Sequence, residues 1–426
     1  MRPGEAATAL LLTLNVFLLL TAYYLLKVAR EPLILIGGGA EVKSYASVGQ
    51  SILLIGVTAA YSGLASRVGR MALTAWVTVF FVVCLVVFWI LGVRGVPLGV
   101  PFFLWVGIFN VTAVAQFWSF AADIYTDERG KRLFPIIGIG SSVGAVAGAA
   151  IADGLLALGP FVLMLIAAGF LVVCLGLTYV VHRSEGRSAP QRSREQDAPL
   201  EGANGFSLVV RDRYLLLFAA MIFVLNAVTK TGDYVLDRKL ISAAHDAASA
   251  SGIAPGLFIG QFKARYFEWV NGAGVVMQLF FVSRIIKHLG MRAALVIMPI
   301  ASLVGYGSAF VVPTLTVLFC ARVAESSLDY SLSNTTRQAL WLVTARDVKY
   351  KAKQVIDSFV VRAGDAVSAG IVWLGVHTAM QPRTFIGVNL ALSALWLVIA
   401  ILLARSYKRI ADERARAGVS KSEPAS

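Results

Sequence analysis

Asp127-Glu-Arg-Gly-Lys131-Arg132 and Asp347-Val-Lys349-Tyr-Lys351-Ala-Lys353 stand 220 residues apart, and the reading of that pair decides the fold. Under the same shift Arg129 falls on Lys349 and Lys131 on Lys351, while Gly144 falls on Gly364 in the apolar stretch after each copy. Gly63-Leu-Ala-Ser-Arg67-Val-Gly69-Arg70 recurs more loosely from Ser283-Arg284 to Gly290-Met-Arg292, with Gly69 and Gly290 separated by 221. Two matches in the same order, each a short basic stretch between long apolar runs, describe a polytopic membrane chain made of two related halves.

Composition leads to the same place. Of the 426 residues 58% are hydrophobic and 15% charged, and mean hydropathy is +0.75, against about 45–50% apolar residues in a soluble domain. Apolar runs of roughly 20 residues cross a bilayer as helices, because each backbone amide must then be satisfied within its own segment. About twelve such runs can be counted. On a soluble protein the formal charge of +14 would point to nucleic acid. Here the basic residues crowd alternate connections, 25 on one side and ten on the other. That asymmetry excludes a nucleic-acid partner, implies the lipid bilayer, and places both termini in the cytoplasm of a cell inner membrane.

Cys84, Cys174 and Cys320 lie within apolar runs, where they read as small core side chains, and the four histidines have no ligand spacing. No metal or cofactor is implied. The first apolar run lacks a clear cleavage site and reads as a retained helix. Residues 183–204 are rich in Arg, Ser, Pro, Gly and Glu and nearly free of large apolar side chains, too little to bury for folding. They divide the chain into an N-terminal six-helix bundle (1–182), a cytoplasmic linker (183–212), a C-terminal six-helix bundle (213–405) and a cytoplasmic tail (406–426).

Charge inside an apolar segment marks a candidate site. The first helix, from about Ala7 to Lys27, ends in Tyr23-Tyr24-Leu-Leu-Lys27-Val-Ala-Arg30-Glu31-Pro32. Lys27, Arg30 and Glu31 share one face, and Pro32 predicts a break at Glu31; snorkelling to the interface is the plain alternative. The seventh helix, about Tyr214 to Leu236, carries Thr229, Lys230, Asp233 and Asp237, and Tyr234-Val-Leu-Asp237 echoes Tyr24-Leu-Leu-Lys27. An outer loop is expected through Phe262, followed by Glu268, Asn271 and Gln278 in helix eight. Arg322, Glu325 and Asp329, spaced i, i+3, i+7, predict a single stripe of internal ion pairs on helix ten, with Arg337 beyond it and Arg362 and Asp365 on helix eleven. Either a substrate role or a structural network fits them. Gly140, Gly144 and Gly148 recur every four residues and predict a smooth face for close helix packing.

The Gly63–Arg70 stretch resembles the short Gly and Arg signature between helices two and three of the major facilitator superfamily, with Ser66 where the usual acid stands. Two longer stretches resemble the nucleotide transporter family, the ATP/ADP translocases of plastids and obligate intracellular bacteria. These are Phe117-Trp118-Ser-Phe-Ala-Ala-Asp123 through Lys131-Arg132-Leu-Phe134-Pro135-Ile-Ile-Gly138-Ile-Gly140, and Lys349-Tyr-Lys351-Ala-Lys353-Gln-Val-Ile356-Asp357. Tyr24-Leu-Leu-Lys27-Val-Ala-Arg30-Glu31 is similar to that family's first-helix pattern, with Arg30 where it usually has Lys. The resemblance implies an all-α, major facilitator-like fold of two pseudo-symmetric bundles. It also implies exchange or proton-driven uptake of nucleotides, with basic side chains on the phosphates. The chain departs from the pattern at Val106 and at Thr229-Lys230, near places where the family carries acids.

The expectation is therefore a secondary transporter of an anionic small molecule, a nucleotide or another phosphorylated or carboxylated metabolite, working by alternating access. Lys27, Arg30, Lys230, Arg322, Arg337 and Arg362 are the substrate-binding candidates. Glu31, Asp233, Glu268, Glu325, Asp329 and Asp365 are candidates for ion pairing or proton coupling, and Arg67, Arg70, Lys131, Lys349, Lys351 and Lys353 for gating. The alternatives are a proton-coupled exporter of amphipathic compounds, or a membrane partner or sensor with the same fold. No nucleophile, base and orienting group stand at recognisable spacing, so an enzyme is not expected.

Overall fold

The computed structural model describes residues 5–65, 67–125, 127–185, 205–344 and 352–420. Among them every regular element is a helix. α1 (Glu5–Ala65) is two arms joined at Gly39, which adopts φ 75° and ψ −179°. α2 (Arg70–Val93), α3 (Gly99–Ile124), α4 (Asp127–Leu155) and α5 (Pro160–Glu185) follow, then the short α6 (Gly205–Arg211), α7 (Arg213–Ser251) and α8 (Pro255–Val276). After π turns at Met277–Val282 and Ile285–Leu289 come α9 (Gly290–Val311) and α10 (Leu315–Leu328), a π turn at Asp329–Ser333, and α11 (Asn334–Leu340). α12 (Val361–His377) and α13 (Pro382–Ser420) complete the described chain.

Nine helical stretches are long and apolar enough to cross a membrane among the described residues. The first contains both arms of α1, and the charges of α8 and α10 keep those two rods out of the nine. Counting each arm and each charged rod restores the twelve expected from sequence.

Three local expectations are corrected. The break predicted at Glu31 falls at Gly39, because α1 absorbs Pro32; membrane helices tolerate the lost amide donor when neighbours re-satisfy the backbone. A left-handed φ needs glycine, and Gly37-Gly38-Gly39 supplies it. The outer loop expected through Phe262 is helix: α7 runs to Ser251 and α8 starts at Pro255, since the Ala-rich stretch after Leu240 contains no breaker. The first basic motif is the opening of α4 rather than a turn.

The chain forms two compact units, Met1–Gln196 with Leu240–Asn271, and Asp197–Lys239 with Gly272–Ser426. α7 and α8 thus each contribute to both. In the first unit α1 packs along α3, α4 and α5, and α2 packs on α5. The α4 glycine stripe meets the first arm of α1: a Cβ on Gly140 would lie 2.6 Å from the Thr13 carbonyl oxygen, and one on Gly148 2.6 Å from that of Thr21. The Thr21 hydroxyl donates to the Gly144 carbonyl at 3.2 Å, and Asn15 Nδ2 donates to Thr178 and to the Cys174 carbonyl of α5. In the second unit α9 packs on α13 and α10, and Asn389 Nδ2 donates to the Val228 carbonyl of α7 at 3.1 Å. The duplicated glycines perform the same task in both units. Gly144 lies against the α1 backbone at Phe17, and Gly364 against the α7 backbone at Phe223.

Candidate functional site

The buried charge of the first unit gathers where the first arm of α1 meets α8. Tyr24, Lys27 and Glu31 occupy one face of α1, at spacings of three and four. Lys263, Phe267 and Asn271 occupy one face of α8, each four residues on. The two faces meet as three rungs of an antiparallel ladder. Lys263 Nζ lies 3.7 Å from Glu31 Oε2, Lys27 Nζ stands 4.1 Å over the centre of the Phe267 ring, and the Tyr24 hydroxyl donates to Asn271 Oδ1 at 2.8 Å.

Around the Glu31 rung three basic side chains converge on one carboxylate. Arg30 Nη2 lies 2.7 Å from Oε1 and Lys43 Nζ 2.5 Å from Oε2, beside Lys263. Glu31 is 1% exposed and Lys263 3%. Lys43 reaches back from the second arm of α1, which the Gly39 kink folds towards Glu31. The Arg30 guanidinium also sits 4.5 Å over the Phe103 ring of α3, and the Lys27 ammonium stands 4.9 Å over Tyr24. Aromatic faces attract such cations, with the largest effect where water is excluded. Chemically this is a donor-rich surface of Arg forks and Lys ammoniums that can replace part of an anion's hydration.

The second unit holds a network of opposite composition. Buried Arg322 on α10 gives Nη1 to Glu325 Oε2 and Nη2 to Asp233 Oδ1 of α7, each at 2.6 Å. Glu325 also accepts from the Tyr306 hydroxyl at 2.9 Å and from Thr229 at 3.3 Å. Glu325 is 2% exposed and Asp233 37%, so Asp233 is the less buried of the two acids. Asp329 keeps α-helical register with Arg322 and Glu325, its backbone N–H bonded to the Glu325 carbonyl, but its carboxylate turns to another partner. The π turn at Asp329–Ser333 adds a residue after it, and Asp329 pairs with Arg337, i+8, at 3.3 Å.

Of the other candidates, Arg362 Nη1 approaches Asp365 Oδ2 at 3.4 Å. Lys230 and Glu268 are half-buried and have no ion-pair partner among the described residues. Arg67 is exposed, whereas Lys349 and Lys351 and the side chains of Arg70 and Lys131 lie outside the described set. Lys353 Nζ donates to Gln338 Oε1 at 3.0 Å, beside a cleft of ≈ 240 Å³ lined by Asn334, Arg337, Gln338, Trp341 and Asp357. Sequence reasoning missed Lys43 and Lys263, which it counted only as outer-side charges, and the roles of Tyr24, Asn271 and Tyr306. The i, i+4 spacing of Lys263, Phe267 and Asn271 was the one signal available.

A helical chain crossing the membrane repeatedly, with duplicated packing and two buried charge networks, is an all-α, multi-pass membrane protein with a major facilitator-like fold. Among solved structures the fold is similar to a bacterial homologue of the human lysosomal transporter Spinster, in an inward-facing and unoccupied conformation. The TM-score is 0.65 at 13% identity, over 96% of this chain and 99% of that one. It is similar too to a bacterial homologue of the iron transporter ferroportin, inward-facing, at TM-score 0.64 and 12% identity over 94% and 99%. The nucleoside transporter NupG matches at TM-score 0.62 and 11% identity over 95% and 98%. No protein-family model and no curated protein matches the chain.

Proposed function

We propose that the chain is a secondary active transporter of an organic anion, a phosphorylated or carboxylated metabolite with nucleotides as the leading class, working by alternating access of its two halves. One observation carries this reading: Arg30, Lys43 and Lys263 converge on the buried Glu31 carboxylate, with Lys27 one turn away. Basic side chains concentrated at membrane depth are costly and occur where they serve a substrate or ion path. The resemblance to nucleotide transporters around Lys27–Glu31 favours a phosphorylated substrate, and the similarity in fold to transporters supports alternating access. Asp233, the less buried of the two acids bound to Arg322, is the coupling acid of the proposal, because taking up a proton there releases the Arg322 guanidinium. Termini in the cytoplasm of an inner membrane follow from the distribution of Lys and Arg.

The test is uptake of labelled ATP, ADP and succinate into proteoliposomes, with Lys27→Ala and Arg30→Ala as controls. Uptake of one of them, lowered about tenfold or more by either substitution, is expected; uptake of no anion overturns the reading. A second reading, export of amphipathic compounds, is favoured by the aromatic wall that Phe81, Phe109, Phe117 and Phe120 form around a small cleft in the first unit. Efflux of a neutral amphipathic dye insensitive to Lys27→Ala would select it.

A further inference from the structure

The third rung of the α1–α8 ladder contains a donor that none of the described residues uses. Asn271 is 9% exposed. Its Oδ1 accepts from the Tyr24 hydroxyl, and in that orientation its Nδ2 has no hydrogen-bond partner among the described residues. Buried amide donors are almost always satisfied, so one held in place without an acceptor calls for a reason. Two turns of geometry bear on that reason. Phe267, four residues before Asn271 on the same face, has the Lys27 ammonium 4.1 Å above its ring, and Lys27 also stands 4.9 Å over the ring of the same Tyr24 that orients the amide. Tyr24 thus joins the ammonium and the oriented N–H₂ group in one site.

We infer that Asn271 is a specificity-determining residue of the anion site, its amide nitrogen donating to one oxygen of the substrate's acid group beside the Lys27 ammonium. The inference rests on the anion reading above and adds to it. A charge alone attracts any anion, whereas a fixed neutral donor rewards an oxygen in one position and penalises a group that cannot accept there. Phosphoryl and carboxylate oxygens share this chemistry. Tyr24 acts as the positioning residue, holding the amide so that its carbonyl faces the phenol and its nitrogen faces the ligand.

The experiment uses the purified full chain in detergent, with thermal unfolding and equilibrium binding of ATP, inorganic phosphate and succinate. For the anion that the wild type binds most tightly, Asn271→Ala should weaken binding at least tenfold. Asn271→Asp, which turns acceptor oxygens towards the anion, should weaken it at least a hundredfold, and Tyr24→Phe by a few-fold. The double variant Tyr24→Phe/Asn271→Leu removes both hydrogen-bonding partners together and should unfold at the wild-type temperature or above when no ligand is present. Phosphate and ATP binding without succinate binding assigns the oxygen to a phosphoryl group, and the reverse to a carboxylate. Wild-type binding that Lys27→Ala abolishes and Asn271→Ala leaves unchanged overturns this inference alone. A wild type that binds none of the three overturns the anion reading with it. A double variant that unfolds far below the wild type in the absence of ligand shows Asn271 to be a structural residue and overturns the inference.

Discussion

The networks centred on Glu31 and Arg322 are built from the same residue types in opposite proportion. In the first unit three basic side chains share one carboxylate; in the second, one guanidinium is shared by two carboxylates. Both central groups are essentially buried, at 1% exposure each. The difference is therefore one of sign, not of environment. A donor-rich cluster suits an anion that must shed water, and an acceptor-rich one suits a proton or the holding of a single cation. Two units with the same kind of glycine packing differ in the charge they enclose, and the division of labour proposed above lies in that difference.

The largest expected effect comes from removing either central group. Arg322→Gln leaves Glu325 buried without its guanidinium, and breaking a buried pair from one side costs about 3–5 kcal/mol; thermal unfolding in detergent should show it. Adding Glu325→Gln to that background should restore part of the loss. Glu31→Gln, which leaves three bases around a neutral amide, should cost a similar amount, and a near-silent Glu31→Gln would break the comparison by showing the first cluster to be solvated. Next in size are the transport effects. Lys27→Ala and Arg30→Ala should each lower anion uptake about tenfold or more, the loss of one charge-assisted hydrogen bond. Asp233→Asn should leave anion binding intact but abolish stimulation of uptake by an inward proton gradient. Equal losses of binding in all three variants would erase the distinction between the two networks.

Much of this was legible in the sequence because membrane helices announce themselves by length and apolarity, and because positions 144 and 364 must be glycine for their helices to touch. The face of Lys27 and Glu31 was legible by helical spacing alone. Lys43 was not: it lies twelve residues after Glu31 across a chain reversal at Gly39, and no periodicity carries through a left-handed residue. Lys263 and Asn271 were hidden for a different reason. Their partners are more than two hundred residues away in sequence, and only the packing of α8 on α1 sets the register in which they meet. The Asp329 pairing was hidden because a π turn and an α-turn look alike in sequence, and the residue added after Asp329 shifts where Arg337, eight positions on, is placed.

That last point gives the smallest effect and fixes where the second network ends. Asp329 shares the helical face of Arg322 and Glu325, and a double-mutant cycle between Arg322 and Asp329 would show coupling if the two were in contact. The structure instead pairs Asp329 with Arg337 at 3.3 Å, side chains 18% and 26% exposed. A partly solvated pair of this kind is worth about 0.3–1 kcal/mol, so the Arg337–Asp329 cycle should return a coupling of that size and the Arg322–Asp329 cycle none. If the couplings came out reversed, Asp329 would join Asp233 and Glu325 as a third carboxylate around Arg322, and the contrast with Glu31 would become three acids on one base against three bases on one acid. As the structure stands, the Arg337 guanidinium takes Asp329, which keeps that count at two and leaves Arg337 beside the polar cleft with an acid of its own.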